Sequence, residues 1–241
     1  MKERKVAAEG ASIVIKGKFN PAIFSPLWLE QVGLIGAPEL KNQEIEIITQ
    51  DLASFRAGWL GCHVSADAMQ VETGVPEEFE RLRDVAVGVL RTLPYTPISS
   101  LGINRDVHFS VETLSEWHGI GDALVPKDPW MDVLKVPGMR TLVVWGARPD
   151  EYNGAVQIKI EPSFRYPQSV YVGTNDHFVL TRGTGDEPKR DAAWSISDDE
   201  LEVTSEKIPV ATQILLEEWS ASMVRAESYL QVVSQQGVNK Q

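Results

Sequence analysis

A single cysteine, Cys62, stands among the 241 residues, so no disulfide can close within the chain and no cysteine-rich zinc site can be built. Histidine is scarce as well. His63, His108, His118 and His177 are the only four, and none stands three or four residues from another, the spacing that sets two ligands on one helix face. Neither a Gly-x-Gly-x-x-Gly nor a Walker pattern occurs. Gly183-Thr-Gly185 lacks the third glycine, a following helix and a lysine-serine pair, so it reads as a flexible loop, and Gly-x-Ser-x-Gly elbows are missing too. No cofactor and no metal is therefore expected. No run approaches the roughly 18 apolar residues of a membrane span, and Met1-Lys-Glu-Arg-Lys5 leads into the small, polar stretch from Ala7 to Ser12 and not into an apolar segment. No signal peptide is expected, and the cytoplasm is the expected compartment. Basic residues are outnumbered, 23 to 34, for a net charge of −11. Such a field repels phosphate backbones and anionic lipid, so neither direct nucleic-acid binding nor a membrane partner is expected.

What is present is the balance of a globular protein, 43% apolar and 24% charged, at a length that allows one large domain or two small ones sharing a core. Ser12 to Phe19 is β-branched and precedes the turn signal Asn20-Pro21, which predicts a first strand. Ala22 to Ile35 spaces Phe24, Leu27, Trp28, Val32 and Ile35 as one helical face. Glu44 to Ile48 alternates, with the extended pattern running on toward Phe55. Trp59 to Ser65 and Ala68 to Thr73 flank Ala66-Asp67 as a hairpin. Pro76-Glu77-Glu78 opens a helix whose buried stripe is Phe79, Leu82, Val85, Val89 and Leu93, closed by Pro94.

The pattern then begins again. Ile98 to Val111 reads as a strand and Thr113 to Leu124 as a helix. Strands are expected at Met139 to Trp145, Ala155 to Glu161, Ser169 to Gly173 and His177 to Thr181, the last two parted by a turn at Asn175-Asp176. A long helix from Pro209 to Val233 carries Ala211, Leu215, Trp219, Met223, Ala226 and Leu230 on one stripe. The expected class is α+β, with antiparallel sheet covered on one face by long amphipathic helices. Strand, helix, strand, hairpin and long helix occur twice, which points to a tandem structural duplication with halves 1–97 and 98–241. Gly183 to Glu206 is acidic and polar and reads as an exposed connection.

One strand stands out on polarity. Gly102-Ile-Asn-Arg-Asp-Val-His108 puts Asn104, Asp106 and His108 on one face and Ile103, Arg105 and Val107 on the other. Arg105, flanked by apolar residues, needs a carboxylate if buried, with Glu72 or another sheet carboxylate as candidate. Asn104, Arg105, Asp106, His108 and Trp194, an aromatic in a polar segment, are the binding candidates. Cys62 and His63 are neighbours on a strand and point to opposite faces, so they make no nucleophile-base pair.

Phe55-Arg-Ala-Gly-Trp-Leu-Gly-Cys-His-Val64, Met69-Gln-Val-Glu-Thr73, Phe79-Glu-Arg-Leu-Arg-Asp-Val85 and Leu101-Gly-Ile-Asn-Arg105 together resemble a sporadically distributed, uncharacterised bacterial family over about residues 50 to 110. The resemblance implies a bacterial, cytoplasmic protein and no catalytic residues. Two readings of function stand. The first is a non-enzymatic binding or assembly protein that holds a protein partner, or a second copy, through a sheet face, an edge or the acidic segment. The second is an enzyme or small-ligand sensor with a pocket between the halves.

Overall fold

The computed structural model describes residues 5–180 and 201–236. Strand β1 (Lys5–Gly17) begins well before Ser12, because its amino-terminal half pairs with a later strand through Lys5↔Ser110 and Val6↔Phe109. The helix expected over Ala22 to Ile35 is divided. Asn20 caps a 3-10 turn at Pro21–Ile23, and Ser25 accepts a hydrogen bond from the Trp28 amide at the start of α1 (Pro26–Gln31). Each proline sits at a first helical position, where its missing N–H does no harm but where no helix can run through from behind. Gly33, at φ +76°, ends the segment, and α2 (Ala37–Lys41) follows.

The extended pattern from Glu44 toward Phe55 is two strands, β2 (Gln43–Ile48) and β3 (Leu52–Ala57). Thr49 makes the turn between them, its Oγ1 accepting from the amides of Asp51 and Leu52. The expected hairpin forms as β4 (Leu60–Ser65) and β5 (Ala68–Thr73). Helix α3 (Phe79–Thr92) enters through a 3-10 turn at Pro76–Glu78. Then come β6 (Ile98–Ser110), α4 (Leu114–Leu124), capped by Thr113, β7 (Leu142–Ala147) and β8 (Gly154–Pro162).

Two expectations fail in the last third. Asn175-Asp176 makes no turn, and β9 (Ser169–Val179) runs unbroken, because it pairs with β6 on one side and β8 on the other through both residues. Tertiary pairing overrides the local turn preference. The single long helix is two, α5 (Ile208–Glu217) and α6 (Trp219–Gln235), meeting at Glu218. No proline or glycine marks the break. The first part packs in one apolar cluster and the end of the second in another, and a straight helix cannot keep one stripe on a twisted sheet over that length.

All strands join one antiparallel sheet, in the order β2-β3-β4-β5-β1-β6-β9-β8-β7. Ile13 and Ile15 of β1 lie opposite Ile103 and Leu101 of β6. These four form one cluster with Met69, Val71 and Phe178, with Leu82, Val85 and Val89 of α3, and with Ala211, Leu215 and Trp219. A second cluster joins Val107, Phe109, Ile160 and Val172 to Ile120, Leu230 and Val233. Of the side chains expected to be buried, Phe79, Leu82, Val89, Ala211, Leu215 and Trp219 are, while Met223 is only partly so. Leu82 is fully enclosed. Leu82→Ala should therefore cost about 2–5 kcal/mol through lost transfer energy and a cavity, read as a lower urea midpoint at unchanged slope.

Candidate functional site

Strand pleating and register together decide which side chains meet. Ser12 lies opposite Asn104, Asn104 opposite Asn175, and Asn175 opposite Gln157, so four hydrogen-bonding side chains form a row across β1, β6, β9 and β8. The neighbouring row is Gly10, Asp106, Gly173 and Lys159. All of these except Gly10 line a shallow depression of about 180 Å³, with Tyr171 at one side. Asn104 donates through Nδ2 to Ser12 Oγ at 3.1 Å, while Asn175 Oδ1 is buried and accepts no hydrogen bond among the described residues.

Gly173 shapes this site. A Cβ there would lie 2.8 Å from Tyr171 Cζ and 3.0 Å from Asp106 Oδ1. Only glycine lets the Tyr171 ring lie along its own strand and donate its hydroxyl to Asp106 Oδ1. Burial pushes the Asp106 carboxyl above the usual carboxylate range, although the Tyr171 hydrogen bond works the other way. His108, further along the same face, pairs through Nδ1 with Ser163 Oγ at 2.9 Å and packs its ring against Tyr166 and Tyr171. Burial lowers its pKa, against the pull of Asp106.

Asn104 and Asp106 thus share the depression, and His108 lies beside it. Arg105 is on the opposite face, where it pairs with Glu9 of β1 and lies over the Phe79 ring. Glu72 is not its partner. That carboxylate is on the polar face and takes Arg56 at 3.1 Å, because Arg105 and Glu72 project from opposite sides of the sheet. Trp194 and the Gly183-Thr-Gly185 segment lie outside the described residues. Cys62 is buried, its thiol pushed up to about 12 by desolvation, and the register sets His63 on the other face. There His63 contacts Ser54 Oγ at 2.9 Å.

Sequence reasoning missed two features. The first is an ionic cluster on the helix side of β9. Asp176 accepts from Arg148, from Ser222 Oγ at 2.6 Å and from Arg225 at 2.6 Å, and Arg148 also takes Asp150 at 2.6 Å. Its members lie far apart in the chain, so spacing could not reveal it. The cluster ties α6 to the sheet and explains why a buried aspartate is tolerated.

The second is the β7 edge. Leu142-Val-Val-Trp-Gly-Ala147 carries no charge, and every residue from Val143 onward is exposed. Trp130, Met131, Val133, Leu134 and Val136, in the segment leading to β7, are at least 49% exposed. Beside them an apolar groove of about 230 Å³ runs between Trp117, Ile120, Val136, Met139 and Val170. The signal was visible as an uncharged strand, but that it ends the sheet was not. At the other end, β2 carries Glu44 and Glu46.

Among the described residues no three His, Cys, Asp or Glu side chains are grouped to hold a metal ion, and no helix is long and apolar enough to cross a membrane. Comparison of the chain with protein-family models, with curated proteins and with solved structures finds no match.

Proposed function

We propose that this chain is a non-enzymatic protein-binding or assembly component of a bacterial cytoplasmic system, and that it takes its partner on the β7 edge. The observation that carries this is the contrast between the two ends of the sheet. An edge strand offers unpaired N–H and C=O groups to any passing strand, and soluble proteins blunt such edges with charge. Glu44 and Glu46 do this on β2. Among the described residues no charged side chain does so on β7, where Val143, Val144 and Trp145 are 42%, 46% and 44% exposed. β2 exposes Ile45 and Ile47 as well, but there they alternate with Glu44 and Glu46, and the apolar segment before β7 widens the patch. A strand supplied by the partner would extend the sheet, with backbone bonds giving affinity and Trp145 an anchor.

The strand order supports reading the halves 1–97 and 98–241 as a tandem duplication. Outward from the central β1–β6 pair the order is β5, β4, β3, β2 on one side and β9, β8, β7 on the other. On that reading β2 and β7 end equivalent halves, one protected and one specialised for contact.

The test is the pair Val143→Lys and Trp145→Glu in one chain. Both sites are exposed, so stability should change by no more than about 0.5 kcal/mol. Association with the co-purifying partner, or with a second copy by sedimentation, should weaken at least tenfold. Unchanged assembly with an unchanged melting temperature would remove the edge as the binding element.

A further inference from the structure

We propose that the depression above Asn104 and Asn175 is a binding site for a small, neutral, polyhydroxylated molecule, a single sugar or polyol. The row runs on from Gln157 to Trp145 of β7, so the site adjoins that edge while drawing on different side chains. Asn175 Oδ1 is one of three buried side-chain polar atoms without a partner among the described residues, and of the three it alone belongs to a residue lining this depression. Turning the Asn175 amide outward toward a ligand would give this acceptor a donor and recover the free energy that leaving it unpaired costs. Around it stand amides that both donate and accept, from Asn104 and Gln157, with Ser12 at one end of the row. A hydroxyl group has the same double capacity, so an array of hydroxyls is the complement of a row of amides.

Charge disfavours a simple anion or cation. Asp106 and Lys159 stand in the same row on either side of Gly173, so the site presents one acid and one base and favours neither anion nor cation. Lys159 is also engaged with Glu161 at 3.0 Å. The depression, about 180 Å³ and open to solvent, is on the scale of a single ring or short polyol and not of a chain of them.

Side-chain amide NMR on the full chain, titrated with D-glucose, D-galactose and myo-inositol, tests this directly. At least one of these probes should give saturable shifts of the Asn104, Asn175 and Gln157 side-chain NH₂ signals, with affinity in the millimolar range expected of a shallow, open site. Asn175→Ala should weaken that binding at least tenfold while leaving the melting temperature unchanged or higher, since its Oδ1 holds nothing in the free protein. Gln157→Ala, on a different strand, should also weaken it, and His63→Ala, away from the depression, should not. Absence of saturable shifts with all three probes, equal binding by Asn175→Ala and Gln157→Ala, or saturation by L-alanine or inorganic phosphate in place of the polyols would each overturn the proposal.

Discussion

Asp176→Ala is expected to lower stability by about 3–5 kcal/mol, the scale found when one partner of a buried ion pair is removed and the other is left behind. Asp176 is 5% exposed and receives both Arg148 and Arg225. The Arg148 side chain is 1% exposed, so without Asp176 it keeps, among the described residues, Asp150, the His177 carbonyl at 3.3 Å and the Phe178 ring beneath it, and Ser222 Oγ loses its acceptor. Urea denaturation would show the loss as a lower midpoint, and amide exchange would show α6 opening before α3, because the cluster joins α6 to β9. A midpoint within 1 kcal/mol of wild type would contradict this account of the cluster. The same site bears on acid stability. Burial alone would raise the Asp150 pKa, but the hydrogen bond and charge of Arg148, with Arg225 behind them, bring it below the ordinary 3.8. Its contribution is therefore fully present above that ordinary value and is lost as pH falls through the lower folded value.

Trp219→Ala should cost about 3–5 kcal/mol, the usual range for deleting a buried large aromatic. Trp219 is 1% exposed and sits where α5 gives way to α6, in the cluster with Ile214 and Leu215. Its Nε1 is buried with no acceptor among the described residues. Trp219→Phe and Trp219→Ala both remove that donor, but phenylalanine keeps most of the buried volume and should cost clearly less than the alanine variant. Equal losses in the two variants would show that buried volume does not govern the site.

Much of the fold was legible because its periods are strong. The α3 stripe from Phe79 to Val89, the Ala66-Asp67 hairpin and the alternation of β6 follow from local chemistry, and each element lies within a few residues of its expected place. Failures occurred where distant partners decide the outcome. Asn175-Asp176 carries turn residues, yet pairing on both sides and the arginines of the ionic cluster hold it in a strand. The break at Glu218 has no breaker residue and comes from what the helices cover. The division of Ala22 to Ile35 was different in kind, since Pro21, Ser25 and Pro26 state it locally and the apolar spacing merely masked it. For the candidate site, alternation placed Asn104, Asp106 and His108 together and Arg105 opposite. Asn175, Gln157, Lys159 and Tyr171 join them only through register, which one sequence does not contain. The exposure of β7 likewise depends on its position at the end of the sheet.

The central claim, that β7 is the element on which a partner docks, is tested most directly by photocrosslinking in the native host. A photoreactive phenylalanine analogue would replace Trp145 in one strain and His63, on the polar face far from β7, in another. Position 145 should give a discrete crosslinked species, lost when Val143→Lys is added, and position 63 should give none. Discrete adducts from position 63 with none from position 145 would contradict it.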